Sequence, residues 1–234
     1  MSFTSVDAVM QSPRVRNEYW VFSGDQYIRI RVADGDHQDE RVVGPRNLTE
    51  WNSLKDLQGF STKVDAVMPV PDSLGQYWVF SGNQYIRMEV GDDPDYIDRR
   101  LAGPSSLDAW ANTFKDRAPF SQKVDTVTWA PDEDNWYWAF SGTAFLTMTV
   151  GHSPNWEDKL EYEPAALEKW NSLKAAAAPF LTKINAVMQT PDSYNNYWFF
   201  SGDQYIRINI ADRDHTDRLD NGPSPLTDWE SFQF

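Results

Sequence analysis

The chain alternates short apolar runs with turn-forming residues, and the same series of runs occurs four times. The first run, Val-Asp-Ala-Val-Met, lies at residues 6–10, returns unchanged at 64–68 and in altered form at 124–128 and 184–188, with steps of 58, 60 and 60 residues. A second run, Tyr-Trp-Val-Phe-Ser-Gly, begins at Tyr19 and repeats with the same steps. A third run begins at Gln26, and a fourth ends at Gly44-Pro45. The chain is therefore a tandem repeat of one four-segment unit.

Each run has the composition of a β-strand. The runs are rich in β-branched and aromatic residues and are bounded by Gly, Asp, Asn or Pro. The Ser-Gly-Asp-Gln sequence between the second and third runs suits a tight hairpin. After the Gly-Pro step the apolar residues fall three or four apart, as at Leu48, Trp51 and Leu54, which is the spacing of an amphipathic helix. The sequence predicts four strands and one short helix per repeat.

Four such repeats predict a closed ring of sheets. One unit cannot bury both faces of its own sheet, whereas four antiparallel sheets arranged radially cover one another. Phe60, Phe120 and Phe180 each precede a first strand, and Phe3 has the same place at the N-terminus, beside the end of the last repeat. We therefore predict an all-β, four-bladed β-propeller forming a single domain over residues 1–234. The expected blades are approximately 4–57, 62–117, 122–177 and 182–232.

The unit resembles the hemopexin repeat. The shared features are Asp-Ala in the first strand, aromatic-x-Phe-x-Gly in the second, Tyr in the third and Pro before the helix. Within that family the chain is most similar to the plant albumin-2 type, because an Asp-Arg or Asp-Lys step precedes the fourth strand at Asp98-Arg99, Asp158-Lys159 and Asp217-Arg218. Cysteines that join the first and last blades in animal matrix proteases are absent. The resemblance implies a narrow central channel holding Ca²⁺, and in some members Na⁺ or Cl⁻, with polyamine or haem as ligand.

Composition narrows the classes of partner. The chain has 35 acidic and 21 basic side chains, a formal charge of −14, which repels phosphate backbones and anionic lipid surfaces. We therefore expect neither a nucleic acid nor a membrane partner. The sequence shows no long apolar run and no secretory signal at its start, and without cysteine it needs no oxidising compartment. The expectation is a cytoplasmic protein, with a homodimer left open.

One ring of polar residues is the candidate metal site. Asp7, Asp65, Asp125 and Asn185 occupy the same position of the first strands, which lie innermost in a propeller. Three carboxylates near one axis repel one another unless they are neutralised, and an axial Ca²⁺ or Na⁺ held also by backbone carbonyls would do so. Alternatively, the side chains bind backbone N–H groups. In that case the nearby lysines supply the compensating charge; these are Lys63, Lys123 and Lys183.

The third strand and the loop after it hold candidates for binding an organic ligand. Arg29, Arg87 and Arg207 share one strand position, where a guanidinium suits a carboxylate, phosphate or sulfate. Pairing with an acidic neighbour, such as the Asp before the fourth strand, is the structural alternative. Tyr96 and Trp156 lie in equivalent polar loops and suit stacking on a sugar.

The remaining aromatic and histidine residues favour structural roles. The second strands carry a tryptophan at one position, and its alternation along the strand predicts inter-blade core, with sugar stacking as the alternative. These tryptophans are Trp20, Trp78, Trp138 and Trp198. His37, His152 and His215 fall in loops of different blades, which argues against one metal centre and leaves a haem ligand as an alternative.

The sequence contains no catalytic motif: it has no nucleophile elbow, no Gly-rich phosphate loop, no His-Glu-x-x-His and no cysteine. We therefore predict a non-enzymatic protein that binds an axial cation and a small molecule, such as a polyamine or haem, at the channel mouth or between subunits. The acidic charge favours the polyamine. The alternative is a lectin with several repeat-related glycan sites and a role in defence, and a storage or scaffold protein is the third hypothesis.

Overall fold

A computed structural model describes residues 2–92, 95–131 and 135–234, so that Met1, 93–94 and 132–134 lie outside the description. Within these residues the strands form four separate four-stranded sheets. In every sheet the strands follow one another in chain order, and all neighbouring strands are antiparallel. Each repeat therefore makes one blade of simple up-and-down topology.

The strands have nearly the same lengths in every repeat. The first blade contains β1 (Ala8–Gln11), β2 (Glu18–Ser23), β3 (Gln26–Val32) and β4 (Asp39–Asn47). The second contains β5 (Ala66–Pro69), β6 (Gln76–Ser81), β7 (Gln84–Val90) and β8 (Asp98–Ser106). The third contains β9 (Thr126–Trp129), β10 (Trp136–Ser141), β11 (Ala144–Val150) and β12 (Asp158–Ala166). The fourth contains β13 (Ala186–Gln189), β14 (Asn196–Ser201), β15 (Gln204–Ile210) and β16 (Asp217–Pro225).

The four sheets close into a ring around the first strands. Strand β1 contacts both β5 and β13, and β9 contacts the same two strands, so the four first strands surround one axis. Four apolar clusters lie between successive blades, and the one between the first two blades packs Trp20 and Phe22 with Tyr77. At the seam the Phe3 N–H donates to the Phe232 carbonyl at 3.1 Å. The predicted four-bladed propeller is confirmed.

The prediction of a short helix after each blade is wrong for three of the four repeats. Each fourth strand runs into a 3₁₀ turn, at Leu48–Glu50, Leu107–Ala109, Leu167–Lys169 and Leu226–Asp228. The third repeat continues into an α-helix, α1 (Asn171–Ala176), and the fourth into a further 3₁₀ turn, Glu230–Phe232. The run of alanines after Lys174 has the highest helix propensity, whereas the first repeat has Asp56 and Gly59 there.

The apolar spacing behind that prediction still identifies buried residues, since Leu48, Trp51 and Leu54 are all in the core. Hydrogen-bonded turns such as Lys55 N–H to the Trp51 carbonyl, 2.9 Å, bury this face without regular helix. In the described parts of the chain no helix is long and apolar enough to cross a membrane.

Candidate functional site

The predicted polar ring lies at the end of the channel where the first strands begin. Each of its side chains accepts a hydrogen bond from the N–H of the glycine in the hairpin between the second and third strands. The distances are 2.7 Å for Asp7 and Gly24, 2.7 Å for Asp65 and Gly82, 2.8 Å for Asp125 and Gly142, and 2.9 Å for Asn185 and Gly202. Asn serves this purpose as well as Asp, which accounts for the exception in the fourth blade.

Lysines alternate with the aspartates around this ring. Each ammonium group lies between the side chain of its own blade and that of the preceding blade. The pairs are Lys63 with Asp7 (2.9 Å) and Asp65 (3.8 Å), Lys123 with Asp65 (2.9 Å) and Asp125 (3.1 Å), and Lys183 with Asp125 (3.1 Å). At the seam the alternation stops, because Asn185 replaces the fourth aspartate and Ser5 takes the place of a fourth lysine. Three carboxylates thus face three ammonium groups.

The ion pairs change the titration of the ring. Burial raises the pKa of Asp125, but the Gly142 N–H, Lys183 and Lys123 outweigh it and hold the pKa below its ordinary value. Burial lowers the pKa of Lys123, yet Asp65 and Asp125 raise it more, so it lies above the ordinary value. Both groups therefore stay charged through the neutral range.

These side chains do not fit a cation held by carboxylate ligands, since the lysines already neutralise the carboxylates. Across the described residues no group of three or more His, Cys, Asp or Glu side chains has an arrangement that would hold a metal ion. An axial Ca²⁺ or Na⁺, or a Cl⁻, held by backbone groups stays a prediction that rests on the family resemblance.

At the other end of the first strands, tyrosines join successive blades. Each tyrosine of the second strand donates its hydroxyl hydrogen to the last carbonyl of the preceding blade's first strand. The distances are 3.0 Å for Tyr19 and Gln189, 2.7 Å for Tyr77 and Gln11, 3.2 Å for Tyr137 and Pro69, and 3.3 Å for Tyr197 and Trp129. Burial holds the pKa of Tyr77 well above its ordinary value, so it remains a donor.

A funnel of about 700 Å³ opens inside this ring of tyrosines. Its narrow part is lined by the same valine of every first strand, namely Val9, Val67, Val127 and Val187. Two residues further along, the repeat varies and places Gln11, Pro69, Trp129 and Gln189 on the lining. The funnel is therefore apolar at its base and mixed at its mouth.

Exposed apolar side chains concentrate at the mouth of the funnel. Among the described residues the large hydrophobic side chains that are exposed number five, and three of them line the funnel: Leu74 (65% exposed), Trp129 (37%) and Tyr194 (62%). The Arg16 guanidinium lies 4.5 Å from the centre of the Tyr194 ring and holds one of these side chains in place. An apolar surface that the fold leaves open at the mouth of a cavity is typical of a binding site.

The aromatic residues that the sequence offered as sugar-stacking sites, in the second strands and in the loops before the fourth strands, lie between blades and not in the funnel. Trp20, Trp78, Trp138 and Trp198 are 4–5% exposed, so the prediction that they form inter-blade core is confirmed. Tyr96, from the loop of the second blade, stands edge-on to Trp20 at 5.0 Å, and the Arg29 guanidinium lies 4.4 Å from its ring centre. Trp156 packs in the same way on Trp78 (6.3 Å) and under Arg87 (4.0 Å).

Histidines fill the same loop position in the other two blades. His215 stands edge-on to Trp138 at 5.2 Å, and His37 stands edge-on to Trp198 at 5.0 Å. His152 lies at a different place in its loop and pairs with Asp72. The structure therefore places the three histidines at three separate blade interfaces, as their spacing indicated.

The expected pairing of the strand arginines with an acidic neighbour is confirmed for Arg207, but that neighbour is not the Asp before the fourth strand. That Asp instead caps the turn after the preceding blade, as Asp98 does by accepting from the N–H groups of Asn52 (3.1 Å) and Ser53 (2.6 Å). Arg207 pairs with Asp220 at 2.8 Å, inside the fourth strand. Among the described residues, Arg29 has a distant ion pair, with its Nε 3.7 Å from Glu18.

Comparison with solved structures defines the class of fold. The chain matches no family model and no curated protein. It is similar to a plant lectin with two metal binding sites from Cicer arietinum, with a TM-score of 0.80, 18% identity, and 96% of this chain and 94% of that chain covered. It is also similar to a 2S albumin seed protein from Dolichos, with a TM-score of 0.81, 19% identity and 96% of each chain covered.

A hemopexin-fold protein from cow pea gives a TM-score of 0.81 at 16% identity, covering 97% of this chain and 96% of that chain. The chain therefore has the hemopexin-like four-bladed propeller fold of the plant seed albumins, as its repeat indicated. At these identities the likeness defines the fold, and function has to be argued from the chain's own surfaces.

Sequence reasoning missed the funnel residues, although a signal was present. Within the first strand every position is nearly uniform among the repeats except the last, which is Gln11, Pro69, Trp129 and Gln189. A position that varies inside an otherwise regular repeat is free of the packing that fixes its neighbours. Trp129 is the large apolar residue at that position.

Proposed function

We propose that this protein is a non-enzymatic binding protein that takes a small, flat, uncharged and largely apolar molecule in the axial funnel. One observation carries the proposal: a cavity of about 700 Å³, with valines at its base, opens beside the exposed ring of Trp129. Cavities of this size and character hold drug-sized organic molecules. The proposal keeps the channel mouth, which the sequence predicted as a ligand site, and is supported by the shape and lining of the funnel there.

The mouth of the funnel is held in one conformation by the chain itself. The Gln11 side-chain amide donates to the Arg16 carbonyl at 2.7 Å, and the Gln189 amide donates to the Tyr194 carbonyl at 2.9 Å. Both bonds tie a rim glutamine to its own loop. A rim that is already ordered loses little conformational entropy when a ligand binds, which favours affinity.

The charges of the lining favour an uncharged ligand over the polyamine or haem expected from the family. Among the described residues of the lining, Asp72 is the one charged side chain, and it already pairs with His152. A polyamine needs several carboxylates, and haem needs basic partners for its propionates and an axial ligand. The described lining supplies neither set.

The test is an equilibrium titration with Nile red, a flat neutral dye, followed by its fluorescence, with hemin and spermine as competing probes. The variant is Trp129→Gln, which installs the residue that the repeat carries at Gln11 and Gln189. The matched control is Tyr162→Gln, on an exposed side chain of the outer strand β12 (64% exposed). We expect saturable Nile red binding that weakens about tenfold or more in Trp129→Gln and is unchanged in the control.

Two results would overturn the proposal. One is a lack of saturable binding of Nile red to the wild-type protein, and the other is equal affinity of wild type and Trp129→Gln. Saturable hemin or spermine binding that is lost in Trp129→Gln, without Nile red binding, would keep the site and overturn the chemical class of its ligand.

A further inference from the structure

A second cavity, of about 330 Å³, lies between the outer strands of the first blade and the loop that precedes β8 in the second blade. Its polar lining includes Arg29 and Arg46 on one side, with Glu50, Asn52 and Asp95 around them. The cavity is separate from the funnel, because the two share no lining residue. It is thus a second candidate for ligand binding.

Arg29 is mostly buried, and the described residues do not fully pair its guanidinium. Its side chain is 13% exposed, and its nearest carboxylate oxygen, on Glu18, is 3.7 Å from Nε. Glu18 gives its other oxygen to Arg31 at 2.6 Å. Arg29 Nε is buried and has no hydrogen-bond partner among the described residues. An N–H donor left unpaired in a buried place is costly, so the site favours a ligand that brings a hydrogen-bond acceptor.

A second guanidinium faces the same cavity in this blade alone. Arg46 pairs across the sheet with Tyr27, two residues from Arg29, so Arg29 and Arg46 project from the same face. Its nearest carboxylate is Glu50, 3.6 Å away, and its side chain is 53% exposed. In the other blades the residues at this register position are Ser105, Ala165 and Ser224. The first blade therefore departs from the repeat in a way that packing does not require.

Acceptors stand beside these donors. Glu50 is exposed, Asp95 lies on the same lining, and the Asn52 side chain adds an amide. Asp98 also touches the cavity, but its carboxylate accepts from the backbone of Asn52 and Ser53. The polar groups of the described lining thus include both donors and acceptors, from two arginines, one asparagine and three acidic residues.

We propose that this cavity binds one monosaccharide unit of a glycan. A sugar hydroxyl both donates and accepts, so a ring of hydroxyls matches a lining that contains both arginines and carboxylates. Arg29 and Arg46 would repel a polyamine. Glu50, Asp95 and the net charge of −14 would repel a simple carboxylate. The cavity is at the small end of the range for organic ligands, which suits a single sugar ring.

The proposal gives one sugar site per chain, independent of the funnel. Arg29 covers one face of the Tyr96 ring and Arg87 covers one face of the Trp156 ring, so we assign recognition to hydrogen bonding rather than to stacking on these rings. A plant lectin and a plant albumin showing hemagglutination, both from Cicer arietinum, have a similar fold. With one site per chain, agglutination would require a dimer.

The experiment is a glycan array with the whole protein, followed by calorimetry with the sugar that binds best. The variants are Arg46→Ser and Arg29→Thr, which install residues that the repeat carries at Ser105 and Thr147. The matched controls are Arg87→Thr, at the same strand position of the second blade, and Trp129→Gln in the funnel. We expect one sugar per chain, about tenfold or greater loss of affinity in both variants, and unchanged affinity in both controls.

The proposal would be overturned by a lack of saturable binding of any neutral or acidic sugar, by unchanged affinity in Arg46→Ser, or by loss of affinity in Trp129→Gln. Arg46 is half exposed, so Arg46→Ser keeps the test valid even if Arg29→Thr fails to fold. Binding of acetate and of the sugar with equal affinity would also overturn it, because the site would then recognise a carboxylate rather than hydroxyl groups.

Discussion

Arg207 donates a hydrogen bond from Nη1 to Nδ1 of His37, 3.1 Å away, across the seam where the fourth blade meets the first. Because a guanidinium can only donate, Nδ1 of His37 is the acceptor and the ring hydrogen lies on Nε2, which is 3.0 Å from Asp192. The ring also stands edge-on to Trp198. One histidine thus connects three residues of the last blade to the first.

This arrangement predicts the effect of His37→Phe. The ring remains available to Trp198, and the backbone φ of +56° is tolerated, since Tyr96 and Trp156 occupy this loop position at 45° and 42°. Both hydrogen bonds are lost, so we expect the free energy of unfolding in urea to fall by about 1–2 kcal/mol. The control is His152→Phe, whose side chain is 70% exposed. Equal losses in the two variants would contradict the assignment.

The hydrogen bonds by which the four tyrosines join successive blades predict the effect of Tyr77→Phe. The change leaves the aromatic packing intact and removes the hydroxyl that donates to the Gln11 carbonyl of the preceding blade at 2.7 Å. We expect a loss of about 1–1.5 kcal/mol in urea unfolding. Tyr162→Phe, on an exposed side chain, is the control and should be neutral within about 0.5 kcal/mol.

The ring of aspartates and lysines predicts how stability depends on pH. The folded-state pKa of Asp125 is lowered, so its contribution is present above the unfolded pKa and is lost as the pH falls through the folded pKa. The folded-state pKa of Lys123 is raised, so its contribution is present below the unfolded pKa and is lost as the pH rises through the folded pKa. Both contributions are complete between about pH 5 and pH 9.

Asp125→Asn tests how much the carboxylate of Asp125 contributes to the loss of stability at low pH. The amide can keep the bond to the Gly142 N–H, as Asn185 does with Gly202, so the variant loses the charge alone. We expect the variant to be less stable than wild type at pH 7 and the difference to shrink as the pH falls toward 3. Asp25→Asn, on an exposed turn, serves as control. A difference that stays constant with pH would show that the charge of Asp125 contributes nothing.

The backbone conformation of Gly103 predicts a large loss of stability in Gly103→Ala. Its φ is +89°, and a Cβ there would lie 2.8 Å from the Tyr85 carbonyl oxygen and 3.0 Å from the Ile86 Cα. Backbone atoms cannot move aside cheaply, so we expect Gly103→Ala to cost more than about 2 kcal/mol in urea unfolding. Gly82 has φ +57°, and a Cβ at that position would have nothing within 4 Å, so Gly82→Ala should cost about 1 kcal/mol.

The repeat made most of the fold predictable. Strands alternate with a period of two and turns carry Gly, so the sixteen strands were visible in the sequence, and the step of sixty residues set their arrangement in a ring. The helices were less predictable, because one turn of helix and one 3₁₀ turn bury the same residues, as at Trp51 and Trp170. A few alanines after Lys174 decide between them.

The sites were predictable only where the repeat itself defines them. Equivalent positions of first strands must meet at the axis, so the ring of Asp7, Asp65 and Asp125 and its lysines followed from spacing. The contact between Arg29 and Tyr96 could not be predicted from spacing, because it depends on the rotation between adjacent blades. Trp129 was missed because spacing does not tell which end of the first strands opens into a funnel.

The most direct test of the funnel as a binding site is a crystal structure of the protein with bound Nile red. We predict density for one dye molecule on the axis, with its rings against Trp129 and over Val67 and Val127. Density for the dye at a contact between subunits, or at the aspartate and lysine end of the channel, with water alone in the funnel, would contradict it.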